Sequence, residues 1–292
     1  MRTPTSPQPR RARALRTSAL AAAVALLAAG CTTDISTGFM PSTPTMTDKT
    51  GDLLALWNGS WIAALAVGAI TWGLMIWCVI VYRKRKGDDQ LPVQLRYHVP
   101  LELMYTVVPL ILIGSLYVFS TRITYDTIDV SGEPDLNIEV YGKQWSWDFN
   151  YLDEDVYYSG GRVQLTGEYG VEETLPTLYL PVDQTVEFTV VSRDVQHSFW
   201  IPAFLFKLDM VPGRENHFQV KPQEEGVYAG KCAELCGEYH SEMLFNVAVV
   251  SQAEFDAHMD ELRDAGNVGR LGPELNRQYT LRSGSPAEGS EG

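Results

Sequence analysis

The sequence predicts a membrane-anchored all-β protein, a two-helix transmembrane hairpin followed by a β-sandwich or barrel, and three observations carry that prediction. Two apolar runs long enough to cross a bilayer lie within the first 120 residues, with four consecutive cations between them. From Asp135 onward the apolar residues recur with a period of two. Strand-length segments then follow one another to about residue 250, separated by Gly and Pro turns.

Residues 1–30 combine Arg2, Arg10, Arg11, Arg13 and Arg16 with no acid and an apolar stretch from Ala19 to Ala29, the make-up of a secretory signal peptide. Its end, LLAAGC, resembles a bacterial lipoprotein box, although Ala28 stands where Leu is usual. That resemblance implies cleavage before Cys31 and diacylglyceryl attachment to its thiol; the alternative is an ordinary signal peptidase site. Residues 31–52 read as a linker, rich in Pro, Thr and Ser over 41–50. The apolar runs, from about Leu53 to Tyr82 and from about Val99 to Ser120, form the hairpin, residues 53–120. Arg83-Lys84-Arg85-Lys86 hold the connecting loop on the cytoplasmic side, so everything after residue 121 faces outward. Trp57, Trp61 and Tyr82 suit the membrane interfaces.

Residues 121–265 form the globular domain. Leu136, Ile138 and Val140 share one parity and Trp145, Trp147, Phe149 and Tyr151 the other, which predicts a turn or bulge about Gly142. Further strands are expected at 162–166, 176–180, 185–192, 197–201, 215–221, 226–231 and 244–250. Ser251 with Glu254 opens a helix reaching about Asp264, and 266–292 read as a disordered tail. From residue 121 onward 12 Lys and Arg face 30 Asp and Glu. So acidic a domain argues against nucleic acid and favours a basic protein that docks by electrostatic steering, the alternative being that the charge serves solubility alone.

Of the four cysteines, Cys31 ends the signal segment and Cys78 lies in an apolar helix, leaving Cys232 and Cys236 as a C-x-x-x-C pair. With His240 and Met243 they place two thiols, an imidazole and a thioether within twelve residues. Soft sulfur plus imidazole selects copper. His197, in DVQHSFWIP, is a candidate second imidazole from a neighbouring loop. A Cys232–Cys236 disulfide would suit the oxidising compartment, but leaves His240 and Met243 without a task. A zinc site has no use for Met243, and a mononuclear blue-copper site needs one thiolate. His98, His217 and His258 carry no motif and read as interfacial or surface residues, and no C-x-x-C-H for covalent haem occurs.

The loop from Cys232 to Met243 resembles the binuclear CuA loop of cytochrome c oxidase subunit II, and DVQHSFWIP and LDMVPGR resemble that family's flanking motifs. The likeness covers about residues 50–260. It implies a cupredoxin-like domain in which Cys232 and Cys236 bridge two coppers, His197 and His240 each bind one, and Met243 and the Glu234 carbonyl are weak axial ligands. YGKQWSWDFNY, residues 141–151, resembles the family's aromatic motif, with Trp145 at the tryptophan through which electrons arrive. Glu102 matches a glutamate at the cytoplasmic mouth of the proton-conducting K pathway. The Glu234 side chain and Asp209 match acids that hold Mg or Mn at the interface with subunit I. The family takes electrons from cytochrome c, or from a membrane-bound c-type cytochrome of the cytochrome bc complex. It passes them to the haem of subunit I for O2 reduction coupled to proton pumping, in a complex that includes subunit III in the bacterial cell membrane. The rival expectation is a membrane-tethered copper chaperone, which would surround its cysteines with a βαβ pattern.

Overall fold

The computed structural model describes residues 37–87, 91, 94–168 and 171–277. The signal segment and Cys31 lie outside them. Helix α1 spans Thr50–Val81 and helix α2 spans Val99–Ile128. At 1.5 Å per residue each exceeds the roughly 30 Å hydrocarbon thickness. Both expose apolar side chains around their circumference, Ile62, Leu65 and Ile76 on α1 and Leu103, Leu110 and Ile113 on α2 among them. A helix apolar on all sides is at home in lipid.

The apolar run ends near Ser120, but α2 continues to Ile128. Arg122 and Asp126 sit 3.9 Å apart across one turn there, so the helix outlasts its hydrophobicity. The globular part therefore begins at β1, not at residue 121.

Among the described residues ten strands follow: β1 Leu136–Lys143, β2 Ser146–Tyr151, β3 Val156–Ser159, β4 Thr177–Pro181, β5 Val186–Ser192, β6 His197–Ile201, β7 Phe206–Met210, β8 Asn216–Val220, β9 Gly226–Cys232 and β10 Leu244–Val250. They form two five-stranded sheets, ordered β3-β2-β1-β5-β8 and β4-β10-β9-β6-β7. The first sheet joins β1 and β5 in parallel, as the second joins β4 and β10. Between the sheets lie fully buried Trp147, Phe149, Phe188, Phe199 and Phe245. Phe199 stacks on Phe245 at 5.0 Å, and Trp147 meets Phe245 edge-on at 4.9 Å. Burying one such ring contributes about 1.5–3 kcal/mol, so this aromatic layer is the main cohesive element.

Several expected boundaries shift. The parity change comes from a two-residue turn at Gln144 and Trp145, beyond Gly142, which remains inside β1. The edge strand pairing with β2 is Val156–Ser159 and not 162–166, where Leu165 is exposed. Strand β7, flanked by Pro202 and Pro212, lies outside the segments expected as strands; it pairs antiparallel with β6.

Helix α3, Gln252–Asp264, starts at the expected capping box of Ser251 and Glu254. It turns Phe255, Met259 and Leu262 inward and packs on edge strands β3 and β4.

Neither flanking segment is a free tether. Met46 enters the core, Thr47 bridges to Pro222, and the Ser42 hydroxyl donates to the Ala203 carbonyl at 2.5 Å. At the other end, the expected disordered tail does not begin at 266. Val268 bridges to Val156, and the described chain lies on the domain as far as Arg277.

Candidate metal centre

The sulfur loop joins adjacent antiparallel strands. Strand β9 ends at Cys232, β10 begins at Leu244, and the Cys232 amide donates to the Met243 carbonyl at 3.0 Å, closing the loop at its base. The Ala233 amide donates to the Ser198 carbonyl at 3.0 Å, pinning the loop to β6, whose first residue is His197. Two glycines make the close approaches possible. A Cβ on Gly142 would sit 3.2 Å from the His197 ring, and one on Gly237, whose φ of 122° already disfavours a side chain, would sit 3.2 Å from the Trp145 indole.

Within this frame the sequence-predicted donors converge. The two sulfurs lie 3.9 Å apart. Beside Cys232 stand His197 Nδ1 at 3.8 Å and the Glu234 carbonyl at 3.2 Å. Beside Cys236 stand His240 Nδ1 at 3.5 Å and Met243 Sδ at 3.7 Å. His197, Cys232, Cys236 and Met243 are buried, while His240 is only partly covered. Two adjacent thiols, each flanked by an imidazole nitrogen and a weak donor, form a set that fits soft, redox-active copper.

Asp194 completes the arrangement. Its carboxylate accepts from His197 Nε2 at 2.7 Å and from the backbone amides of Gln144 and Val195 at 2.8 and 2.7 Å. Because Nε2 is occupied, Nδ1 is the nitrogen presented to the sulfurs. Burial disfavours the Asp194 carboxylate, but these donors outweigh it and lower its pKa. Burial likewise disfavours imidazolium at His197, and the hydrogen bonds with Asp194 and Cys232 overcome it, so that pKa is raised. The hydrogen bond shared with Cys236 outweighs burial and holds the Cys232 thiol below the ordinary thiol range, whereas the same contact pushes Cys236 up. One thiolate is thus favoured before any metal arrives.

Trp145 touches the loop directly. Its indole N–H donates to the Cys236 carbonyl at 3.2 Å, the Gln144 amide donates to the same oxygen at 2.8 Å, and its ring meets Tyr239 edge-on at 4.8 Å. Arg162 lies 4.0 Å over the Tyr239 ring and pairs with Glu242 at 2.9 Å. Asp194, Gln144, Tyr239 and Arg162 were not singled out from the sequence. Only Asp194 carried a usable signal, as a carboxylate three residues before a candidate ligand.

The remaining candidates lie apart from this cluster. Asp209, on β7 opposite Ser198, pairs with Lys207 at 3.1 Å. Glu102 sits in the first turn of α2, where its carboxylate accepts the His98 amide at 2.8 Å while His98 Nδ1 accepts from Leu101 at 3.2 Å. His98 thus serves as a helix cap; His217 bonds Thr189, and His258 stacks on Tyr179.

Comparison with known proteins is consistent with this site. Residues 136–250 match the family model "Cytochrome C oxidase subunit II, periplasmic domain". A probable cytochrome c oxidase subunit 2 from Streptomyces coelicolor is 39% identical, the alignment covering 90% of this chain and 91% of that one. A cytochrome c oxidase subunit 2 from Mycobacterium bovis is 33% identical, covering 87% and 84%. Among solved structures, the periplasmic domain of subunit II of cytochrome oxidase from Bradyrhizobium japonicum is 31% identical, covers 46% of this chain and 97% of that one, and has a TM-score of 0.41. The chain belongs to the cytochrome c oxidase subunit II family, as a membrane subunit of the oxidase with an extracytoplasmic C-terminal domain.

Proposed function

We propose that this subunit receives electrons from cytochrome c, or from a membrane-bound c-type cytochrome, at a dinuclear CuA centre and delivers them to the haem of subunit I. There O2 is reduced and protons are pumped. The observation that carries the reading is the pair of sulfurs 3.9 Å apart, each beside an imidazole Nδ1 and a weak donor. A pair of coppers held by these donors would supply one-electron chemistry.

The protein's own groups set up that chemistry. Cys232, Cys236, His197 and His240 would hold the two coppers through sulfur and imidazole nitrogen, with Met243 and the Glu234 carbonyl as weak donors beside them. Asp194 keeps the His197 ring in the metal-binding tautomer. Trp145 forms the outer wall, and its hydrogen bond to Cys236 makes a short covalent and hydrogen-bonded route from surface to sulfur. Glu102 acts at the opposite membrane face as the mouth of a proton channel. The Glu234 carboxylate and Asp209 contribute to an Mg or Mn site shared with subunit I; oxygen ligands suit either ion. Subunit III completes the assembly, and Cys31 carries the lipid that follows signal cleavage.

The copper-chaperone reading has less support, because the cysteines join two antiparallel strands, β9 and β10, and Met243 completes a bound-metal set. Metal analysis and EPR of the purified oxidase test the proposal. Two coppers in this subunit with a mixed-valence signal are expected; one copper, or zinc, at full occupancy would sink it.

A further inference from the structure

Three charged groups lie buried in the β1–β2–β5 sheet and its following loop, and electron transfer as proposed gives them no task. Glu139, Asp148 and Arg193 are 2%, 2% and 5% exposed. Buried charges persist only when paired, and removing a partner is costly. Asp148 is met by Arg193 Nε at 2.7 Å, Lys143 Nζ at 2.5 Å and the Ser159 hydroxyl at 2.7 Å. Glu139 is met by Arg270 Nε at 2.8 Å, the Asn150 amide at 2.9 Å and the Tyr141 hydroxyl at 3.1 Å.

The segment after α3 supplies much of this pairing. Besides Arg270, the Leu271 and Gly272 carbonyls and the Asn276 side chain accept from the Arg193 guanidinium at 3.0, 2.9 and 3.2 Å. The Arg277 amide donates to the Arg193 carbonyl at 2.7 Å. Leu271 also exchanges two hydrogen bonds with Asn150, and the guanidinium lies 3.8 Å over the Tyr141 ring. Arg193 is therefore gripped at both its side chain and its backbone.

The next residue is Asp194, which holds His197 Nε2 and, through the Gln144 amide, the turn that carries Trp145. We propose that residues 270–277 form a strap whose grip on Arg193 positions Asp194, so that the C-terminal segment fixes His197 and tunes the metal centre. Arg193 is a positioning residue, acting through Asp194. The inference rests on the copper reading above.

Three variants of the full chain in the purified oxidase test it: Arg193→Lys, which keeps the charge on Asp148 but loses the fork to the strap; Arg270→Gln; and a chain ending at Gly266. Asp194→Asn serves as reference. At saturating copper all are expected to retain two coppers. Arg193→Lys and the shortened chain should shift the reduction potential and the EPR hyperfine pattern in the direction that Asp194→Asn shifts them, with Arg270→Gln shifting them less. A strap that only stabilised the fold would lower the unfolding temperature and leave potential and spectrum at wild-type values, and that result in Arg193→Lys and Arg270→Gln overturns the inference. If the shortened chain fails to assemble, these point variants decide. Wild-type protein lacking a copper pair overturns the copper reading and this inference together, whereas an intact pair indifferent to the variants overturns the strap alone.

Discussion

At the scale of single residues, the donors of the sulfur loop divide by what each contributes. The proposed Met243 thioether is a weak ligand and should tune more than it anchors. Met243→Leu is expected to keep most of the copper while altering potential and electron-transfer rate, whereas Cys232→Ser should abolish the pair. Copper content and redox titration of both variants check this, and equal copper loss would remove the weak-donor role proposed for Met243. Asp194→Asn should weaken copper binding by about 10–100-fold, the usual cost of losing an outer partner of a ligating histidine. A copper titration reads it. The ligand set was legible because five of its six members sit within twelve residues and the sixth, His197, lies in one recognisable motif. Asp194 was less so: among 36 acids its one mark is its place three residues before His197, and spacing alone does not show that it folds against the imidazole.

At the scale of elements, local signals were reliable where one element's own chemistry decided its fate. Ser251 and Glu254 cap α3 as expected, since a capping box needs only its own backbone. Ser251→Ala should cost about 1 kcal/mol, and Phe255→Ala, which empties a fully buried site against Tyr151, about 3–5 kcal/mol. Thermal unfolding of the two variants should rank them in that order. Local signals misled where a partner decided. Residues 162–166 alternate like a strand, yet β2 pairs with Val156–Ser159, which the Leu152–Asp155 turn delivers to its edge. Gly266, Gly269 and Gly272 read as disorder, and what fixes that stretch is a pair of buried charges, Glu139 and Arg193, far away in sequence.

At the scale of the whole molecule, charge and topology separate two tasks. The acidic excess after residue 121 should make reduction by a soluble basic cytochrome c slow as ionic strength rises, because exposed charges are screened beyond about 8 Å at 0.15 M. Stopped-flow rates across a salt series measure this; a flat series would leave the acids no steering role. The opposite face of the membrane offers a separate test. Glu102 lies 26 residues before the end of α2, roughly 40 Å along the helix from the turn that leads into the domain. Its substitution should therefore leave electron uptake at the copper centre unchanged and slow only the proton-coupled part of turnover. The capping contact with the His98 amide complicates a simple truncation, because Glu102→Ala removes both the titratable group and the cap. Glu102→Gln separates them: its amide oxygen still accepts from His98, but it holds no exchangeable acid proton. If Glu102 is the proposed channel mouth, Gln and Ala should slow steady-state oxygen consumption alike while stopped-flow reduction of the copper centre stays at the wild-type rate. If Gln restores full turnover, the residue serves the helix and not the proton. Slowed copper reduction with normal turnover would instead contradict the topology argued from Arg83, Lys84, Arg85 and Lys86.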